Sequence, residues 1–184
     1  MGSRNRRHLV VLLASLLVLA VVGSALAAAR VLTSTSASGR FVTLVQAISD
    51  GSGLSVNSTS FVDVPGASAT ISIPSSTTGF ILIHFAASTS CGDNFSNPPG
   101  TTPCYLRALI NSADVPPGAV VFDSWPSNGG LEPGAHAMDW SSASLSPGTY
   151  TVRMQAATSS LNPSPTGAPF FLSAWHLTVE RVTT

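Results

Sequence analysis

Beyond Phe41 the chain is cut by Gly and Pro into short apolar runs, and in several of them apolar and polar residues alternate strictly. In GTYTVRMQAA, Tyr150, Val152 and Met154 point one way, while Thr149, Thr151, Arg153 and Gln155 point the other. Near the end, Phe171, Trp175, Leu177 and Val179 form one set, and His176, Thr178 and Glu180 form the opposite set. A period of two is the mark of a half-buried antiparallel strand with one wet side.

The runs are 41–45, 59–64, 69–74, 79–88, 104–111, 119–125, 135–145, 148–158 and 170–182. Turn residues separate them at Pro65-Gly66, Thr78-Gly79, Pro116-Pro117-Gly118, Asn128-Gly129-Gly130, Pro133-Gly134 and Pro147-Gly148. No run keeps a period of 3.6 over helix length, although Gln46–Asp50 reads as a single helical turn. FILIHFAA is apolar on both faces and reads as a central strand covered on each side, with His84 a core histidine. About nine such strands predict an all-β, two-layer antiparallel sandwich, jelly-roll-like, spanning residues 41–184.

The N-terminus obeys different rules. Arg4, Arg6 and Arg7 precede an apolar stretch from Leu9 to Val22, and Ala25-Leu26-Ala27 fits the small-x-small cleavage pattern. Residues 1–29 read as an N-terminal signal helix cut after Ala27, with Ala28 opening a second register. The rival is an uncleaved anchor, since Leu9–Ala29 approaches the roughly 20 residues that span a bilayer. Arg6-Arg7 with Leu9 only half matches a twin-arginine signal, so Sec export to the medium or cell surface is expected. Residues 30–40, rich in Ser and Thr, read as a flexible linker.

Losing the leader removes three of the eight basic residues and none of the eight acids, which leaves about −3. There is no lysine, and no cationic stripe of the kind a nucleic-acid partner requires. Cys91 and Cys104, the only cysteines, enclose GDNFSNPPGTTP. In an exported chain they are expected to pair as a staple between two strands. Redox catalysis wants closer cysteines and a nearby cation, and zinc wants two further ligands. Calcium wants more oxygens than Asp93, Asn94 and Asn97 supply, so no cofactor or metal is expected. Asn57-Ser58-Thr59 and Asn94-Phe95-Ser96 match the glycan acceptor pattern, as Ser/Thr-rich chains do by chance.

Catalytic signatures are sparse. There is no G-x-S-x-G elbow. Asp123, Asp139 and His136 could serve a small hydrolase if the fold brings them together, and Glu132 lies in the same segment. Trp175 belongs to an inward set. Trp125 and Trp140, beside polar residues, are the candidates for stacking on a sugar face, with His136 and Asp139 as neighbouring polar partners.

Three segments carry a resemblance over residues 59–182: FVDVPGASATISIPSSTTGFILIHFAASTSC, CYLRALINSADVPPGAVVFDS, and LSPGTYTVRMQAAT with the closing FFLSAWHLTVERV. Together they resemble exported bacterial β-sandwich proteins without assigned activity. The G-T-Y-T-V-R and closing-strand pattern is also similar to galactose-binding-type carbohydrate modules. The resemblance implies export, a sandwich and a disulfide, and no reaction.

The expected function is therefore a non-enzymatic binding or structural role at or outside the cell surface, its partner a carbohydrate or another surface protein. A carbohydrate module using an exposed Trp is the first alternative. Terminal sequencing of protein recovered from the medium should read Ala-Ala-Arg from Ala28; a start at Met1 in the membrane fraction would favour the anchor.

Overall fold

A computed structural model describes residues 32–37, 44–91, 103–124, 134–158 and 170–183, with backbone alone before residue 47. These fall in one unit, Leu32–Thr184, and the leader with its Ala27-Ala28 junction lies outside the described residues. The strands are β1 (Leu32–Ala37), β2 (Leu44–Asp50), β3 (Leu54–Val56), β4 (Val62–Ile73), β5 (Gly79–Cys91) and β6 (Pro103–Ile110). They continue as β7 (Ala113–Asp114), β8 (Val120–Ser124), β9 (Gly134–Ser141), β10 (Gly148–Thr158) and β11 (Phe170–Thr183).

One sheet has the order β1-β2-β11-β5-β9, with β3 also on β11; the other runs β4-β10-β6-β7, with β8 also on β6. Every pairing is antiparallel. The chain crosses between sheets at β3/β4, β4/β5, β5/β6, β8/β9, β9/β10 and β10/β11, a weave of the jelly-roll kind. The fold is an all-β two-layer sandwich.

Alternation builds the core. Ile81, Ile83 and Phe85 from β5 and Leu177 and Val179 from β11 are buried. They belong to the same core as Val152, Met154 and Ala156 from β10 and Leu106 and Ala108 from β6. Phe85 joins the layers: its ring lies 6.0 Å from Trp175 in its own sheet and 6.0 Å from Phe122 on β8 of the other.

Two bulges reset the alternation. In β4 the buried positions step from Val64 to Ala67 and then continue at Ala69, Ile71 and Ile73. Opposite this step the register with β10 jumps between Arg153 and Gln155. Gly66, at φ 81°, supplies the left-handed residue the bulge needs. Pro65-Gly66 is thus a bulge, and the two expected runs 59–64 and 69–74 join into one strand. In β11 the buried set is Phe170 and Leu172, then Trp175, Leu177 and Val179, with Ala174 at φ 46° where the register with β5 slips. Phe171 therefore faces outward, 40% exposed, contrary to its expected place beside Trp175.

Three further expectations change. Gln46–Asp50 is strand, because its backbone pairs with β1 on one side and β11 on the other. Leu32–Ala37, inside the expected linker, is an edge strand; an edge needs only backbone partners and Thr-rich composition, which apolar patterning does not reveal. β5 is central within its sheet but covered on one face only: Leu82, Ala86 and Ser88 are half-buried and His84 is exposed on the other.

The hairpin from β6 to β7 turns through Asn111 and Ser112, both at positive φ, as a two-residue loop of mirror-image type demands. Cys91 ends β5, and its bond to Cys104 on β6 ties one sheet to the other across a sequence separation of 13.

In urea melts, Phe85→Ala should cost about 3–5 kcal/mol through cavity formation, and Thr70→Ala on the wet face of β4 under about 1 kcal/mol. Replacing both cysteines by Ser should cost about 3 kcal/mol.

Candidate functional site

The outward set of β5 meets outward residues of β9 and β11. Register places His84 opposite Asp139 on one side and Thr178 on the other. His84 Nδ1 lies 2.6 Å from Asp139 Oδ1, with side-chain exposures of 46% and 80%. If the ring proton sits on Nδ1 and is donated to the carboxylate, Nε2 is left as an acceptor. Across the row, the Thr178 hydroxyl is 3.0 Å from His176 Nε2. Leu82, His84, Asp139, Thr178 and Glu180 line a hollow of ≈ 460 Å³. Glu180 makes no side-chain hydrogen bond or ion pair among the described residues.

A second hollow, ≈ 340 Å³, lies one step along β5. Its walls include Ala86, Ser88, Ala135, Ala137 and Ala174. Small side chains keep this stretch low.

The sequence-derived candidates separate. His136 and Asp139 lie three residues apart on β9, an odd interval, so they face opposite sides of the sheet. His136 turns inward, its ring 5.8 Å from Phe122 and its Nε2 3.7 Å from Asp123 Oδ1. Asp123, only 11% exposed at its side chain, is already engaged. The Thr89 hydroxyl donates to its Oδ2 at 2.8 Å, and the Ser124 N–H to its Oδ1 at 2.7 Å. Since Thr89 is on β5 and Asp123 on β8, this carboxylate ties the two sheets beside the disulfide. Asp123 and His136 come together; Asp139 does not join them.

Trp140 is 1% exposed, and its indole N–H donates to the Gly118 carbonyl at 2.9 Å. It is a core residue on the inward side of β9, so it offers no face for stacking. Trp125, Glu132 and Asn94 lie outside the described residues, while Asn57 is exposed after β3. Among the described residues no three His, Cys, Asp or Glu side chains stand together to hold a metal ion.

His84, expected as a core histidine, is instead the exposed partner of Asp139. Its apolar neighbours suggested the core, yet Ile81, Ile83 and Phe85 already occupy the inward phase of β5, which sends His84 outward. The even positions of ILIHFA were the available signal.

No family model matches the chain, and no curated protein matches it. Among solved structures, dimeric latent PorU from Porphyromonas gingivalis aligns at TM-score 0.37 and 10% identity, over 80% of this chain. This chain spans 13% of that protein's length. The CBM22-1 xylan-binding domain of Paenibacillus barcinonensis Xyn10C aligns at TM-score 0.22 and 5% identity, covering 84% of this chain and 83% of that domain. Likeness this slight transfers no ligand and no residue role.

Trp140→Phe keeps the ring packing but leaves the Gly118 carbonyl without its donor. Chemical denaturation should show a loss of about 1–3 kcal/mol.

Proposed function

We propose that the chain is an exported, non-enzymatic β-sandwich that acts as a binding module at or beyond the cell surface. Export rests on the basic, apolar and small-residue order of residues 1–29. The non-enzymatic reading is carried by the setting of the His84–Asp139 pair. The pair stands on the outer face of the sheet, His84 on β5, which is laddered to β9 and β11, and Asp139 on the edge strand β9. Nucleophilic acyl transfer needs free N–H donors aimed at the developing oxyanion, and around His84 the two ladders of β5 spend those donors on neighbouring carbonyls.

The second His–carboxylate pair, His136 with Asp123, supports the same reading. Its carboxylate accepts from Thr89 and Ser124 and helps hold the sheets together. Glycoside cleavage would want two carboxylates flanking one bond, whereas Asp123 and Asp139 belong to opposite sides of the six-stranded sheet. What this sheet does present is an open outer face with acceptor groups beside low alanines.

Purified protein should show no turnover above buffer with nitrophenyl esters or nitrophenyl glycosides. Turnover that disappears in His84→Ala or His136→Ala would contradict the proposal.

A further inference from the structure

We propose that the outer face of the six-stranded sheet binds a neutral saccharide chain in a trough that follows β5 from Leu82 to Ser88. The inference rests on the binding-module reading and gives it a ligand class. Six residue steps of strand correspond to about 20 Å, long enough for an extended oligomer lying along the strand. The two hollows described above are lined by successive stretches of β5, one carrying His84, Asp139, Thr178 and Glu180 among apolar walls and one floored by alanine.

The lining selects the ligand by what it lacks as well as by what it offers. Asp139 and Glu180 as carboxylates are acceptors only, and a neutral His84 ring that donates its Nδ1 proton to Asp139 presents a third acceptor at Nε2. A partner must therefore bring hydrogen-bond donors, and a sugar's vicinal hydroxyls do so in pairs that suit a carboxylate. Glu180 has no internal partner to give up among the described residues. Leu82, Ala86 and Ala137 supply the apolar contact that the C–H face of a sugar ring seeks.

Charge narrows the class. Among the described residues, Arg107 and Arg153 are committed on the other sheet, to Asp114 and Asp63, and Arg181 reaches the Ser72 carbonyl. No guanidinium lines either hollow, so two carboxylates face an acidic glycan without compensation. A peptide is disfavoured for another reason. It binds sheets chiefly by adding a strand to an edge, which would place it along β9, whereas the trough runs over β5, a strand paired on both sides.

The test is an array of neutral gluco-, manno-, galacto- and xylo-oligosaccharides beside uronic and sialic acid glycans and a lysine-rich peptide. Hits are then titrated by calorimetry against Glu180→Gln, Asp139→Asn, Ala137→Arg and Arg107→Ala, with unchanged circular dichroism as the folding check. The expected result is binding of a neutral oligosaccharide, weakened about tenfold or more by Glu180→Gln and by Asp139→Asn. Ala137→Arg should abolish it by filling the trough, and Arg107→Ala should leave it unchanged. Neutral glycan binding that none of the trough variants alters would overturn this site while leaving the module reading intact. No neutral hit, or binding confined to acidic glycans or the peptide, would overturn the ligand class. Release of reducing ends from a glycan bound in the trough would support the site and sink the non-enzymatic reading.

Discussion

A strand sends successive side chains to opposite faces, and in this sandwich that constraint decides both the core and the surface. Along β5, Ile81, Ile83, Phe85 and Ala87 are withdrawn from water, while Leu82, His84, Ala86 and Ser88 remain on the outside. A slip of one residue would exchange the two sets entirely. Phe85, packed on Trp175 and Phe122, holds the inward set where it is. The disulfide between β5 and β6 and the Thr89–Asp123 hydrogen bond secure the same end of the strand. The outer trough is thus a by-product of core packing, built from residues the core rejects.

Much of this was legible in the chain itself. The alternation in β10 puts Val152 and Met154 inward, and they are buried; the wet set with Arg153 and Gln155 stays outside. The Gly and Pro punctuation marks most strand ends. Two backbone bulges were not legible. Pro65-Gly66 carries a turn signature, yet a bulge and a turn both want a left-handed glycine, and only the long pairing with β10 distinguishes them. At Ala174 the left-handed residue is not a glycine, so nothing in the composition marks the phase change that exposes Phe171.

The site was harder to read than the fold, for the same reason. His136, Met138, Asp139 and Trp140 look like one polar-aromatic cluster in sequence, but strand geometry splits them. His136 and Trp140 turn inward, Trp140 to be buried, and Asp139 turns outward to His84, 55 residues away. A partner at that distance is created by the pairing of β5 with β9 and has no local signature. Glu180 and Thr178 reach the same place from β11. Residue types alone suggested Trp125 and Trp140 as recognition elements; the fold spends Trp140 on the core, Trp125 lies outside the described residues, and the outer face of β5 carries acceptors and alanines.

The phase of β5 can be measured residue by residue with methyl-labelled protein and a soluble paramagnetic agent in NMR. Methyl signals of Leu82, Ala86 and Ala137 should be strongly broadened, while those of Ile81, Ile83 and Ala87 should be spared. Equal broadening of both sets, or the reverse pattern, would contradict the assignment of the outer face and remove the trough with it.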